Sequence, residues 1–179
     1  MSISPPTEQE AEGNFGLSRD RLGRRVWKNP VLLAVTGFGA GLIPYAPGTA
    51  GTLVAIPIYL FIAPLQPAIY AGVVLLLFAL GVAMCRQAER QLAIYDHPAV
   101  VWDEIVGYLV CMFLVPVHWV WVVVGFVLFR LFDIWKPFPI RTLEHRVRGG
   151  LGTMLDDVVA GLYAWLVLQG SLLLTTQLS

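Results

Sequence analysis

The chain has 179 residues, of which 57% are hydrophobic and 13% are charged, whereas ordinary soluble domains contain roughly 45–50% hydrophobic and about 25% charged residues. This composition indicates an integral membrane protein with one domain. Twelve Lys and Arg residues balance twelve Asp and Glu residues, so the basic field typical of nucleic-acid-binding proteins is absent and no nucleic-acid partner is expected.

Residues 1–28 form a polar and basic segment, predicted to be a cytoplasmic arm before a single helical membrane domain of residues 29–179. Residues 1–14 contain no apolar stretch, so a signal peptide is not expected. The arm ends in basic residues that could lie on anionic headgroups or serve only as a topogenic flank. These residues are Arg19, Arg21, Arg24, Arg25 and Lys28.

The next stretch, between Lys28 and Arg86, contains 57 residues and no charge. As one helix it would be about 85 Å long, so it must fold back. Pro64 and Pro67 mark the expected bend, which predicts a hairpin with arms at 52–62 and 68–85. The Gly-rich stretch 31–43 is too short to span a bilayer and is expected to be partly inserted or packed on the bundle.

Two further apolar runs follow, at 105–129 and 158–174. The first is interrupted at 116–118 and could be one tilted span or a hairpin. All Lys and Arg residues lie in 19–28, 86–90 and 130–148, and the positive-inside rule therefore favours two hairpins whose open ends face the cytoplasm. The sequence predicts an all-α polytopic membrane bundle of about five embedded helices, with the amino terminus inside and the carboxyl terminus outside.

This topology brings acidic residues together at the cytoplasmic ends of the helices. They are Asp103, Glu104, Asp133, Asp156 and Asp157. Carboxylates in apolar helix ends are costly, about 2.5–3.5 kcal/mol each at the bilayer centre, and several of them need a counter-charge. Mg²⁺ is the expected ion, because it prefers oxygen ligands and no soft ligands accompany these acids. The structural alternative is that the acids cap helix amino termini.

The residues near these acids predict a phosphate-binding region. Glycines at 37–51 permit close backbone approach to an anion, and helix amino termini bind phosphate, although a tight membrane turn would use the same glycines. The candidates in this loop are Gly48, Thr49, Gly51 and Thr52. Arg130 and Lys136 flank Asp133 on a predicted helical face and could bind phosphate, pair with an acid or lie at the interface.

The histidines and cysteines are expected to have structural roles. His97 and His145 are expected at the interface or in a cap, and His118 at the far tip is expected to be outside the chemistry. Cys85 and Cys111 lie in apolar runs without ligand spacing and are expected in the core.

Four ordered segments resemble the phosphatidylglycerophosphatase A family: GFGAGLIPYAPGTAGT at 37–52, DHPAVVWDEIVG at 96–107, FRLFDIWKPFPI at 129–140 and GGLGTMLDDVVAG at 149–161. The resemblance extends over about residues 28–168. It implies an Mg²⁺-dependent phosphatase of the bacterial inner membrane that converts phosphatidylglycerophosphate to phosphatidylglycerol. It also implies that the five acids named above are metal or catalytic residues, with Lys136, Arg130 and the 48–52 turn near the phosphate.

Four other functions are alternatives to this one. A small transporter or channel would use the acids as a cation relay, but a relay needs polar groups through the membrane, and here they gather at one end. A scaffold would tolerate replacement of the acids. The spacing of a cytidine-linked lipid phosphotransferase is missing. A cysteine phosphatase is excluded, because neither cysteine is followed six positions later by arginine.

Overall fold

The computed structural model describes residues 19–94, 97–138, 140–142, 147 and 149–178. The predicted roles of residues 1–18, His145, Arg146 and Arg148 therefore lie outside the described residues. All regular secondary structure in the described part is helical, which confirms the all-α prediction there. The helices are α1 (Arg19–Val26), α2 (Pro30–Val35), α3 (Pro47–Ile62), α4 (Pro67–Leu92), α5 (Trp102–Cys111), α6 (Trp119–Trp135) and α7 (Gly150–Leu178), with a 3-10 turn at Ala40–Leu42.

Proline marks the beginning of three consecutive helices. Pro30, Pro47 and Pro67 stand at the first positions of α2, α3 and α4, where the missing N–H costs nothing and the fixed φ favours a helix. α3 ends at Ile62 and α4 begins at Pro67, so the chain bends where Pro64 and Pro67 predict. The two arms flank α5 and each packs against it.

Among the residues that the structure describes, two helices are long and apolar enough to cross a membrane, α4 and residues Gly150–Thr175 of α7. This is fewer than the five embedded helices that the sequence predicts. α3 is apolar but has only 16 residues, and α5, with 10 residues, is about 15 Å long against a hydrocarbon core of about 30 Å. The structure therefore supports two possible membrane crossings, and the embedding of the shorter helices stays a prediction.

α5 is the central helix of the fold and contacts α3, α4, α6 and α7. Its side chains from Ile105 to Leu109 are buried. The chain then turns back, and α6 runs antiparallel to α5. A Cβ on Gly107 would lie 2.7 Å from the ring of Phe129, whereas a Cβ on Gly125, earlier in α6, would lie 3.7 Å from the thiol of Cys111, later in α5. The apolar run at 105–129 is therefore a hairpin.

Buried side chains from other helices satisfy the carbonyls where α5 ends. The Tyr70 hydroxyl donates to Leu109 at 2.7 Å, and the Trp165 indole donates to Phe113 at 2.8 Å. The Tyr59 hydroxyl donates to Val115 at 2.9 Å. A carbonyl without a partner in an apolar environment would cost several kcal/mol, so these bonds make a helix end possible inside the bundle.

Glycines allow α5 and α7 to cross in backbone contact. A Cβ on Gly107 would lie 2.7 Å from the Asp157 carbonyl oxygen, and a Cβ on Gly161 would overlap the Gly107 carbonyl. Side chains at either position would force the two helices apart. This crossing sets the distance between the acids on α5 and those on α7.

We expect Gly161→Ala to destabilise the protein by about 1–3 kcal/mol, because the added methyl group must push α7 away from α5. Thermal unfolding in detergent measures the effect. Gly170→Ala on the same helix is the matched control, since no atom lies within 4 Å of its Cβ position, and it should leave the unfolding temperature unchanged or slightly higher. Equal effects of the two substitutions would contradict the close crossing.

Candidate metal centre

Three helices bring the predicted acids to one end of the bundle. Asp103 and Glu104 lie in the first turn of α5, and Asp133 lies in the last turn of α6. Asp156 and Asp157 lie about two turns into α7, not at its start as the sequence suggested, because the helix already begins at Gly150. The helix dipole acts within the first turn only, so capping does not account for this second pair.

Asp103, Glu104 and Asp157 form the centre of the site. One carboxylate oxygen from each lies within 4.8 Å of the others. Asp103 is 7% exposed and Asp157 4% exposed. Oε2 of Glu104 and Oδ2 of Asp157 are buried, and neither accepts a hydrogen bond from the described residues.

Buried like charges at this separation repel one another strongly, and unpartnered carboxylate oxygens lose their hydration. A hard divalent cation corrects both costs, since it takes oxygen ligands and carries the opposite charge. The three residues therefore could hold a metal ion.

Asp133 adjoins this cluster but has a partner of its own. Its Oδ2 lies 2.5 Å from Nη1 of Arg130, one turn earlier on α6. Its carboxylate also interacts electrostatically with those of Glu104 and Asp157. Arg130 therefore places a positive charge directly beside the acidic cluster.

Asp156 is engaged differently from its neighbour. Its Oδ2 lies 2.8 Å from Nζ of Lys136, and its Oδ1 accepts the backbone N–H of Asp157 at 3.1 Å. Lys136 does not share a helical face with Asp133, because α6 ends at Trp135 and Lys136 has a left-handed backbone with φ of 45°. Of the predicted roles of Lys136, the structure shows pairing with an acid.

Gly48 lies against the acidic cluster, at the beginning of α3. A Cβ at this position would overlap Oε1 of Glu104 and lie 2.9 Å from Nη1 of Arg130. The Nε atom of Arg130 is buried and has no acceptor among the described residues. The backbone of α3 thus lies in close contact with both a carboxylate and a guanidinium group.

The other loop candidates contribute less directly. The Thr52 hydroxyl is buried and donates to the Gly48 carbonyl at 2.9 Å, so it stabilises the first turn of α3. Gly51 packs against Val101, whose Cβ lies 2.6 Å from the Cβ position of the glycine. Thr49 is half-buried. Of the four candidates, Gly48 is the one whose contact with an acid of the cluster the structure shows, a distinction that the sequence did not predict.

The histidines and cysteines take ordinary roles. His118 precedes α6 and its Nδ1 accepts the Val120 N–H at 3.3 Å, and His97 similarly accepts the Ala99 N–H at 3.1 Å. Cys85 and Cys111 are buried and are not joined by a disulfide. The burial of both cysteines confirms the core prediction, and the bond of His97 to a turn N–H agrees with the cap predicted for it, whereas the cap at His118 was not predicted.

The described residues thus define a helical protein with two helices of membrane length and a carboxylate centre suited to a divalent cation. The chain belongs to the Phosphatidylglycerophosphatase A family, whose sequence pattern matches residues 33–172. It is therefore an enzyme, a phosphatase that hydrolyses a phosphomonoester, and the resemblance seen in the four motifs is confirmed.

Three relatives are similar to this chain over most of its length, and two of them bear the name of this family. Phosphatidylglycerophosphatase A of Escherichia coli is 44% identical over 162 residues, which cover 90% of this chain and 88% of the relative. The Haemophilus influenzae protein of the same name is 40% identical, covering 78% and 86%. A Bacteroides thetaiotaomicron protein named "Putative phosphatidylinositol-3-phosphatase" is 41% identical, covering 78% and 91%. No solved structure was found to match this chain.

We expect divalent cations to raise the thermal stability of the wild-type protein and to have little effect on Asp157→Asn. A ligand at one hundred times its dissociation constant stabilises a fold by about 2.7 kcal/mol, and the substitution removes one of the three carboxylates that would bind it. Without cations, the variant should unfold at a higher temperature than wild type, because it carries less like charge. Thermal unfolding with and without Mg²⁺ or Mn²⁺ measures both effects.

Glu89→Gln is the matched control, since it removes one negative charge outside the three-carboxylate cluster. Its cation-dependent stabilisation should equal that of wild type. A full cation response in Asp157→Asn would show that the cluster does not hold the ion.

Proposed function

We propose that this chain is an Mg²⁺-dependent lipid phosphatase that removes the terminal phosphate of phosphatidylglycerophosphate and yields phosphatidylglycerol. The observation that carries the proposal is the buried cluster of Asp103, Glu104 and Asp157 beside Arg130, in a chain of this family. Two relatives named phosphatidylglycerophosphatase A support the choice of substrate.

The donor set fits Mg²⁺. The grouped donors are carboxylate oxygens from Asp103, Glu104 and Asp157, with no thiol or imidazole in the group, and Mg²⁺ prefers oxygen ligands while zinc and copper prefer nitrogen or sulfur. The chemistry that Mg²⁺ supplies at such a site is neutralisation of phosphate charge and polarisation of the phosphoryl group. Asp133 and Asp156 border the cluster and would adjust its charge through their pairs with Arg130 and Lys136.

Arg130 and Gly48 would hold the phosphate. The guanidinium group already contacts Asp133 through Nη1, and its buried Nε needs an acceptor. A phosphate oxygen that accepts a hydrogen bond from Nε would satisfy this atom and add a charge-assisted hydrogen bond. Phosphoryl transfer depends mainly on such positioning and charge stabilisation.

The reaction adds water across the phosphomonoester. The bond between phosphorus and the glycerol oxygen breaks, the water oxygen bonds to phosphorus, and the alcohol of phosphatidylglycerol leaves with a proton. A carboxylate of the cluster would accept a proton from the attacking water. Lys136 keeps Asp156 in position and would offset negative charge on the phosphate.

The membrane arrangement belongs to the same proposal. α4 and α7 cross the inner membrane, while α3, α6 and the short α5 are embedded between or beside them. The acidic end faces the cytoplasm, because Arg86 and Arg90 on α4 and Arg130 on α6 lie towards that end. The division into an arm of residues 1–28 and one domain of residues 29–179 stays a prediction.

The central test is phosphate release from phosphatidylglycerophosphate in detergent micelles by the purified protein. Release should require Mg²⁺ and should fall by about 10²–10³-fold in Asp157→Asn, because an electrostatic group at the reacting centre is lost. Glu89→Gln should retain wild-type activity. If folded wild-type protein released no phosphate in the presence of Mg²⁺, the proposed activity on phosphatidylglycerophosphate would be wrong.

The same assay should be run with phosphatidylinositol 3-phosphate and phosphatidic acid. The proposal expects the highest kcat/KM with phosphatidylglycerophosphate. Preference for phosphatidylinositol 3-phosphate would assign to this chain the substrate that appears in the name of the Bacteroides relative.

Gly48→Ala should lower kcat/KM at least tenfold, because the methyl group would displace Glu104 and Arg130 from their present positions. Gly72→Ala is the control, since nothing lies within 4 Å of its Cβ position, and it should remain fully active. Full activity in Gly48→Ala would show that close backbone approach at this position is unimportant.

A further inference from the structure

α1 lies outside the region that the family pattern matches, yet it is packed on the end of the bundle that bears the acids. Leu22 and Val26 are buried in a core cluster with residues from α2 and α4. Nη2 of Arg25 donates to the Gln91 carbonyl at 3.2 Å, and the Asn29 amide donates to Oε1 of Gln91 at 2.9 Å. α1 is thus fixed to the carboxyl end of α4.

The outward side of this helix and of the turn after it is cationic. Arg21, Arg24, Arg25 and Lys28 are all exposed. With two buried apolar residues on the opposite side, α1 has the distribution of an amphipathic helix whose polar side is basic. Four exposed cations on so short a segment are complementary to a surface of negative charge.

Exposed aromatic residues adjoin these cations. Trp27 is 67% exposed and Phe38 63% exposed. The Trp27 ring lies 3.5 Å from the Cβ position of Gly39, so it packs beside the loop that carries Phe38. Exposed aromatic rings next to basic residues are typical of protein surfaces that contact the headgroup layer of a bilayer.

This surface lies at the same end as the acidic centre. Gly150 of α7 packs against the backbone of Val82 and Arg86 near the carboxyl end of α4, where α1 also binds. The Val101 N–H donates to the Val35 carbonyl at 2.8 Å, which ties the segment before Asp103 to α2. A lipid bound to α1 would therefore be near the end of the bundle where the acidic centre lies.

We infer that α1, together with Lys28, Trp27 and Phe38, is a docking surface for anionic lipid headgroups of the membrane that holds the protein. Each basic residue near an anionic membrane surface strengthens association about fivefold. The surface draws anionic lipids to the acidic end of the bundle. This inference does not depend on which lipid phosphate the enzyme cleaves.

A spin label at position 23 tests the inference. No atom lies within 4 Å of the Gly23 Cβ position, so Gly23→Cys accepts a label on α1. The native Cys85 and Cys111 are buried and should stay unlabelled. The labelled full-length protein is placed in nanodiscs of phosphatidylcholine, with or without about 30% phosphatidylserine, and the access of neutral NiEDDA and of oxygen to the label is measured by power saturation.

Phosphatidylserine should lower NiEDDA access at position 23 at least threefold, and about 0.5 M NaCl should restore it by screening the charges. The triple variant R21Q/R24Q/K28Q should lose the phosphatidylserine effect, whereas R21K/R24K should keep it because the charges remain. A label at Gly72→Cys, on the long apolar α4, should report high oxygen access in both lipids and so show correct insertion.

Equal NiEDDA access in the two lipid mixtures, with normal values at position 72, would overturn the inference and leave the basic residues as a topogenic flank. An effect of phosphatidylserine that persists in R21Q/R24Q/K28Q would also overturn it. Phosphate release is not part of this readout, so failure of the docking surface and failure of the proposed phosphatase activity are distinguishable.

Discussion

The concentration of negative charge at one end of α5 is the constraint on which the rest of the structure depends. Carboxylates of Asp103, Glu104 and Asp157 come within 4.8 Å of one another in a largely buried place. Such an arrangement is unstable unless neighbouring groups compensate for it. Arg130, bound to Asp133, supplies part of the compensation, and the unpartnered oxygens of Glu104 and Asp157 are potential ligands for a cation.

The geometry of α5 follows from that constraint. The helix is short, and its first turn must reach the acids on α7 while its last turn ends inside the apolar bundle. Gly107 and Gly161 permit the close crossing, and hydroxyl and indole groups on α3, α4 and α7 satisfy the carbonyls around its carboxyl end. Polar side chains far from the acids therefore serve the site indirectly. They allow α5 to begin at the acidic cluster and to end inside the apolar bundle.

Much of the site was visible in the sequence because charge is rare in this chain. Acids interrupting apolar helices stand out, and the positive-inside rule places them at one end without a structure. Lys136 shows where this reasoning fails. Its spacing from Asp133 suggests one helical face, but the left-handed backbone at Lys136 ends α6 and directs the amine to Asp156. Local spacing does not predict where a helix stops when the residue at its end adopts an unfavoured φ.

The sequence by itself determined the helical class, the breaks at proline, the acidic and basic residues at one end, and the family. These properties depend on composition, local backbone preference and ordered motifs. Tertiary structure decided which acids are grouped and which are paired, that Gly48 rather than Thr52 lies against them, and that α5 is a short central helix. Those outcomes depend on distances between residues far apart in the chain, which are set by side-chain volume at helix crossings and by the need to satisfy buried carbonyls.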